Sequence, residues 1–372
     1  MTLSDLDLLR RLVAIDSTSA VSNLPIAHDL AFYVQRSAKK VEFLNAPAEK
    51  KANLLVRFGP EADDDSGLIL SGHMDAVPAT EAGWDSDPFT LTEAEDRYVG
   101  RGTADMKGFL ALATNAAIAC AESLRAPLYL LFTYDEEVGT LGAHDFARTF
   151  DRTRKLPRHC IIGEPTSFRA VRAHKGHLKL RVTTAGKPAH SGYPHLGENA
   201  IEKAGLALNG LAALRRELEA ERGEHADLFP DAPYVPLNVA TIHGGTVVNI
   251  VPDRCEIEVG IRLLPGMDGE AMIERVRSAI GDARLDVISN SPPMLLPRES
   301  AIYQAVKPYA QEGAESVSFA SDAGWLQTMG IECLLFGPGA IEVAHKANEF
   351  TPKDEFHRAG EILRALIGKF CA

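Results

Sequence analysis

Leu68-Ile69-Leu70-Ser71-Gly72-His73-Met74-Asp75 is an apolar run that closes on a histidine and an aspartate two residues apart. Strand side chains alternate between faces, so His73 and Asp75 point to the same side and can share one site. Working outward, short apolar runs bounded by turn residues recur at 53–58, 67–70, 129–133, 160–162 and 333–336, and each reads as a strand. The Ala- and Leu-rich stretch 108–124 reads as a helix, as do 3–15 and 26–37, where apolar residues fall at helical spacing. Strands alternating with helices predict an α/β layer domain with a largely parallel mixed sheet.

From about residue 176 the pattern changes. A strand at 178–184, a long helix at 198–222, strands at 239–243 and 255–263, a helix at 268–280 and a strand at 285–288 follow in turn. The order β-α-β-β-α-β predicts a ferredoxin-like α+β domain. The helix at 300–312 and the strand at 333–336 return to the earlier style, so this second domain is expected as an insertion. The expected division is 1–175 and 289–372 for the α/β domain and 176–288 for the inserted one. A closing helix is expected from Thr351-Pro352, with Thr351 as N-cap and Pro352 in the first helical position, to Lys369.

Composition narrows the function classes. The chain has 372 residues, 45% of them hydrophobic and 24% charged, with a net charge of −12. No long basic run offsets that acidity, which argues against a nucleic-acid partner and for a small-molecule ligand. No apolar stretch is long enough to span a bilayer, and the first residues carry acid where a secretory signal carries base. A cytoplasmic protein without membrane partners is expected. The five cysteines, Cys120, Cys160, Cys255, Cys333 and Cys371, form no Cys-x-x-Cys pair and predict neither a disulfide framework nor a thiolate zinc site.

Strand ends carry the chemistry. His73 follows the run at 68–70, Asp135-Glu136-Glu137 follows 129–133, Glu164 follows 160–162, and His345 comes shortly after 333–336. Ligand sites of open α/β sheets lie beyond the carboxyl ends of the strands, so these residues are expected along one edge. With Asp105 they supply two imidazoles and three carboxylates, a donor set suited to zinc. Two metals about 3.5–4 Å apart need a bridging group. Asp105, alone before the 108–124 helix, is the expected bridge, with His73 and Glu164 completing one metal and Glu137 and His345 the other. Three carboxylates and a hydroxide then balance two divalent ions. Asp75 is expected behind His73, its carboxylate accepting the other ring N–H. Glu136, beside a ligand but on the opposite side of the chain, is expected as the general base that deprotonates a metal-bound water. The implied reaction is amide hydrolysis. The glycines at 100–108 do not form a phosphate cradle, because Lys107 is followed by glycine rather than Ser or Thr.

The motifs Ser71-Gly72-His73-Met74-Asp75-Ala76-Val77-Pro78, 100–108, Asp135-Glu136-Glu137 and Gly163-Glu164-Pro165-Thr166 resemble metallopeptidase family M20 across the whole chain. That family includes aminoacylases, carboxypeptidases, succinyl-diaminopimelate desuccinylase and acetylornithine deacetylase. The resemblance implies the same five ligands, Glu136 as base, two Zn2+ with Co2+ as a possible substitute, and a cis Asp105–Met106 peptide. It also implies that the inserted domain serves as a lid and joins two subunits in a homodimer. In Gly186-Lys187-Pro188-Ala189-His190-Ser191-Gly192, His190 resembles the histidine that stabilises the tetrahedral oxyanion, while Asn249 and Arg262 resemble substrate-holding residues, Arg262 as the clamp of an α-carboxylate.

Within the family, Ser22-Asn23, 237–245 and Phe336-Gly337-Pro338-Gly339 with Ala344-His345 are most similar to the acetylornithine deacetylase branch. Removal of acetyl from N2-acetyl-L-ornithine is therefore the expected activity, another N-acyl amino acid, a desuccinylase substrate or a C-terminal peptide bond being the alternative. Ser321-Asp322-Ala323-Gly324 stands where desuccinylases carry Ser-Asp-Ala-Arg and deacetylases Thr-Glu-Ala-Pro, a departure from both.

Overall fold

The computed structural model describes residues 2–46 and 50–372. In chain order it begins with α1 (Asp5–Val13), α2 (Leu24–Val34), β1 (Lys40–Asn45), β2 (Ala52–Phe58) and β3 (Leu68–His73). There follow α3 (Lys107–Cys120), β4 (Leu128–Thr133), α4 (Leu141–Thr149) and β5 (His159–Ile162). A second group comprises β6 (His177–Ala185), α5 (Ala200–Ala220), β7 (Leu237–Gly244), β8 (Arg254–Ile261), α6 (Gly269–Ile280) and β9 (Arg284–Ser291). The chain ends with α7 (Ala301–Val306), β10 (Glu332–Leu335) and α8 (Lys353–Cys371).

Two compact units result. The first holds Met1–Arg172, Leu296–Glu315 and Ser321–Ala372; the second holds Ala173–Leu295 and Ser316–Ala320. The second unit thus starts slightly before the expected 176 and runs past the expected 288. Backbone pairing is the reason: Met294-Leu295 and Ser316-Val317 flank Ala173-His174 in a small three-stranded sheet. A run of two residues has no periodicity for a sequence reading to find.

In the first unit the six-stranded sheet has the order β1-β2-β4-β3-β5-β10. β1 and β2 pair antiparallel at one edge and β2 pairs antiparallel with β4, while β4, β3, β5 and β10 are mutually parallel. β3 and β4 are buried along their whole length, as expected for inner strands covered on both faces. α3 packs against β3, α1 and α8. Its face is almost entirely Ala, Leu, Phe and Gly, so it can lie close to the sheet. The closing helix begins later than expected. Thr351 and Pro352 belong to a short strand that pairs with 97–99, and the Thr351 hydroxyl donates to the Thr103 carbonyl at 2.7 Å instead of capping the helix.

The second unit is a four-stranded antiparallel sheet in the order β7-β8-β6-β9, with α5 and α6 closing its core. Leu178, Leu180, Val182, Ile257 and Val259 from the strands meet Ala204, Leu211, Leu214 and Val276 from the helices. Asn199 caps α5 by accepting from the N–H of Ile201 and Glu202, and Asp268 caps α6 by accepting from Glu270.

One close approach in the first unit lies just beyond the end of β5. Gly163 follows β5, and a Cβ there would lie 1.8 Å from Cγ of the buried Phe109 ring of α3. Gly163→Ala should therefore overpack this contact and destabilise the unit by about 1–3 kcal/mol. Thermal unfolding of the metal-free chain measures this, and a midpoint equal to wild type would mean that Phe109 yields without cost.

Candidate active site

The parallel strands deliver their carboxyl ends to one edge. His73 is the last residue of β3, Glu136 and Glu137 lie in the turn after β4, Glu164 follows β5 by two residues, and His345 lies beyond β10. Asp105 comes from the loop that opens α3, and its peptide bond to Met106 is cis. Several non-glycine residues here adopt positive φ, including Asp135 at 50° and His345 at 62°. Such conformations are uncommon and concentrate where side chains must be aimed.

Asp105 stands between the two imidazoles. Its Oδ1 is 2.8 Å from His73 Nε2, and its Oδ2 is 3.2 Å from His345 Nε2. His345 Nε2 also lies 3.0 Å from Glu137 Oε1. Donor atoms of His73, Asp105 and Glu164 lie within 4.8 Å of one another, and so do those of Asp105, Glu137 and His345. The two triads share Asp105 alone.

The electrostatics follow from crowding acids in a dry place. Burial and the neighbouring charge of Glu164 hold the Glu136 carboxyl well above its ordinary range. Burial and Asp105 push Glu164 well above it too, and raise Glu137. Burial would lower His73, but the Asp105 hydrogen bond and the charges of Asp105, Asp75 and Glu136 hold it well above its usual value. Asp105 and Glu137 push His345 up to about 10. Burial would raise Asp105, yet the hydrogen bonds from both imidazoles keep it below the normal carboxylate range. Three raised acids and two imidazoles around ionised Asp105 therefore hold protons that a cation could replace.

Asp75 differs from its expected contact. His73 Nδ1 meets the Asp75 backbone carbonyl at 2.9 Å, while the Asp75 carboxylate is 3.6 Å away. The carboxylate is engaged elsewhere: it accepts from the N–H of Glu136 at 3.1 Å, the N–H of Glu137 at 3.2 Å and the Ser19 hydroxyl at 2.8 Å. A carbonyl can only accept, so Nδ1 carries a proton and Nε2 is the nitrogen turned to Asp105. Asp75 thus fixes the Glu136-Glu137 turn as well as the ring.

Other groups around this turn give no sequence signal. Lys51 donates to Asp135 and, at 2.6 Å, to the Ser19 carbonyl. Buried Asp322 accepts from Thr133 Oγ1 at 2.5 Å, on the last residue of β4, and its other oxygen has no hydrogen-bond partner among the described residues. Burial raises Asp322 to about 6 against the effect of that hydrogen bond. Trp325 donates to Thr140 Oγ1 at 2.9 Å. These contacts link residues far apart in sequence, and no spacing rule reaches them.

His190, Asn249 and Arg262 lie in the second unit. The segments of the first two are neighbours: His190 bridges to Ile250, and the Ser191 N–H donates to the Asn249 carbonyl at 2.9 Å. His190 is exposed and its Nδ1 accepts from the Gly192 N–H at 3.0 Å, which leaves Nε2 as the nitrogen able to carry a proton outward. Arg262 follows β8 in cationic surroundings. Burial and then the charges of Arg262 and Lys179 push His177 down to about 3, and burial with Arg262 lowers Lys175 to about 8.

With this geometry in hand, comparison with known proteins is informative. Residues 69–369 match the model of peptidase family M20/M25/M40. The chain is 36% identical to acetylornithine deacetylase of Edwardsiella ictaluri (strain 93-146) over 381 residues, covering 98% of this chain and 97% of that protein. It is 33% identical to acetylornithine deacetylase of Myxococcus xanthus, covering 98% and 96%. Among solved structures, the M20 family metallo-carboxypeptidase Sso-CP2 from Sulfolobus solfataricus shares the fold with a TM-score of 0.79 at 17% identity over 98% of each chain. The Bacillus subtilis YXEP protein, a dinuclear metal binding peptidase of the same family, shares it with a TM-score of 0.64 at 13% identity, over 98% of this chain and 97% of that one. The chain therefore belongs to peptidase family M20 and is a metal-dependent hydrolase of that family.

Proposed function

We propose that this protein hydrolyses N2-acetyl-L-ornithine to L-ornithine and acetate, a step of arginine biosynthesis, as a cytoplasmic homodimer that uses two zinc ions, with cobalt able to substitute. The observation that carries the reading is the pair of triads sharing Asp105, with Glu136 left over beside them. The donor set fits two cations: two imidazoles and three carboxylates, with each triad compact enough for one ion. His73 and Glu164 would complete one site, Glu137 and His345 the other, and Asp105 would belong to both. When bound, the cations would polarise the amide carbonyl and lower the pKa of water toward about 7.

The residues then divide the work. Glu136 takes the proton of the attacking water and returns it to the leaving nitrogen, the task of a general base that becomes a general acid. Asp75 keeps the Glu136 and Glu137 amides in place and, through its carbonyl, the His73 ring. His190 is assigned to the developing oxyanion, to which a neutral imidazole can donate through Nε2. Arg262 is assigned to the substrate α-carboxylate; its cationic neighbours Lys175 and Lys179 favour an anion. Asn249 is assigned to the substrate amide. Support for the acetylornithine side chain comes from the two deacetylase relatives, each aligned over nearly the full chain.

Exposed apolar residues of the second unit support self-association. Edge strand β7, the 247–250 segment and α5 carry exposed Ile242, Val247, Val248 and Leu206, Val248 being 98% and Leu206 73% exposed. An unpaired strand edge beside such a patch is a ready surface for a second copy.

Three outcomes are expected. Glu136→Gln should lower kcat on the order of 10²–10⁴-fold while zinc content stays at the wild-type value, and an unchanged rate would remove Glu136 as base. In a substrate panel, kcat/KM should be highest for acetylornithine; preference for acetylmethionine, succinyl-diaminopimelate or a dipeptide would replace the substrate but keep the chemistry. Zinc loading at pH 7 should release protons, because His73 and His345 hold them above neutrality in the metal-free chain and must lose them to ligate. Zinc affinity should accordingly rise with pH toward the His345 value of about 10. Titration calorimetry in buffers of different ionisation enthalpy measures the release, and uptake without it would remove the two imidazoles from the ligand set.

A further inference from the structure

Glu349 and Arg101 form an ion pair at 2.8 Å in which each side chain is only 1% exposed. Desolvating two charges costs enough that such a pair is weak evidence for stability by itself, so what its other atoms hold is the informative part. The second oxygen of Glu349, Oε1, accepts from the N–H of Ala104 and the N–H of Asp105, both at 3.0 Å. The Glu349 carbonyl accepts from the Gly100 N–H at 2.9 Å and the Thr103 hydroxyl at 3.3 Å. On the other side, Arg101 donates to the Lys346 carbonyl at 3.3 Å and to Glu81, with its guanidinium over the Trp84 ring at 5.2 Å. The loop that carries Asp105 and the loop that carries His345 are thereby one hydrogen-bonded body.

We propose that Glu349, oriented by Arg101, is the positioning residue that aims Asp105 at both triads. The inference rests on the two-cation reading above. Asp105 must turn one oxygen to the His73 side and the other to the His345 side, and a short side chain can do this only from a fixed backbone. Neither Ala104 nor Asp105 lies inside α3, which starts at Lys107, so no helix holds their amides. A charged acceptor shared by two adjacent N–H groups fixes both position and rotation of that peptide, and such charge-assisted bonds are stronger than neutral ones. Glu349 also lies four residues after His345, which has φ of 62°, and Asn348 has φ of 58°. The same carboxylate that sets the bridge therefore anchors the end of the strained loop that brings in the last imidazole.

The test uses the full chain and measures metal rather than rate. Arg101→Met/Glu349→Ala removes both charges together, so neither member of the pair is left as an unpaired buried ion, and leaves the Ala104 and Asp105 amides without their acceptor. Arg101→Met/Glu349→Gln removes the charges but keeps an oxygen for those amides. Zinc affinity is read by competition with a chromophoric chelator, and the geometry by the visible absorption of the Co2+-loaded chain. The Ala double variant should bind zinc about 10–100-fold more weakly and show an altered Co2+ spectrum, with substantial recovery of both in the Gln double variant. Single Glu349→Gln, expected to lose affinity by less, gives the same reading should the Ala double variant fail to fold. Wild-type affinity and spectrum in the folded Ala variant, or in Glu349→Gln where that variant does not fold, would overturn the inference and leave the two-cation reading standing. A wild-type chain that takes up neither zinc nor cobalt would overturn both.

Discussion

Five carboxyl groups, the buried Asp105, Glu164 and Asp322 and the half-buried Glu136 and Glu137, crowd one another's charge, and among the described residues two imidazoles, His73 and His345, face them. Like charges desolvated together cannot all stay ionised, so the metal-free site must hold extra protons. The structure distributes them in a readable way. Asp105, hydrogen-bonded by both imidazoles, keeps its charge, whereas Glu136 and Glu164, which have no such partners among the described residues, are pushed toward their neutral forms. The first unit is arranged to tolerate this repulsion, and positive charge placed among these oxygens relieves it.

That tolerance comes from backbone rather than from counter-charged side chains. Parallel strands β3, β4, β5 and β10 are buried over most of their length, and the chain beyond each supplies a ligand-type residue, directly at the end of β3 and from a following loop after β10. The connecting turns are held by amides: Asp75 takes two N–H groups of the Glu136-Glu137 turn, and Glu349 takes those of Ala104 and Asp105. A carboxylate bound to fixed N–H groups does not need to compete for cations. Two acids thus organise the site while the others remain available to a metal.

Much of this was legible in the sequence, for a physical reason. The period-two pattern of an apolar run fixes which side His73 faces, and the strand-end rule places Glu137, Glu164 and His345 along the same edge. The ferredoxin-like order of the second unit was legible for the same reason, since its strands and helices each carry a clear period. Boundaries were less so. Thr351-Pro352 has the form of a helix start but pairs as a strand, because the backbone there lies against 97–99 and the Thr351 hydroxyl donates to Thr103, contacts that depend on tertiary placement. β1, with its charged and half-buried residues, carries no strong pattern for a sequence to show. The buried contacts of Asp322, Lys51, Arg101 and Glu349 were invisible because a buried charge looks like a surface charge until its partner is known, and each partner lies tens or hundreds of residues away.

The position of Glu136 ties these points together. The base proposed at Glu136 must be ionised to accept a proton, yet burial and Glu164 hold this carboxyl well above its ordinary range. The same field that disfavours its ionisation is the field that attracts cations to Glu164, Glu137 and Asp105, so neutralising those neighbours frees Glu136 to ionise. An exposed Glu136 would ionise in its ordinary range whether or not its neighbours were neutralised, and no such coupling would exist. In the proposed reaction, its neighbours would keep Glu136 protonated in the metal-free chain, and it would ionise once positive charge stood among the triads.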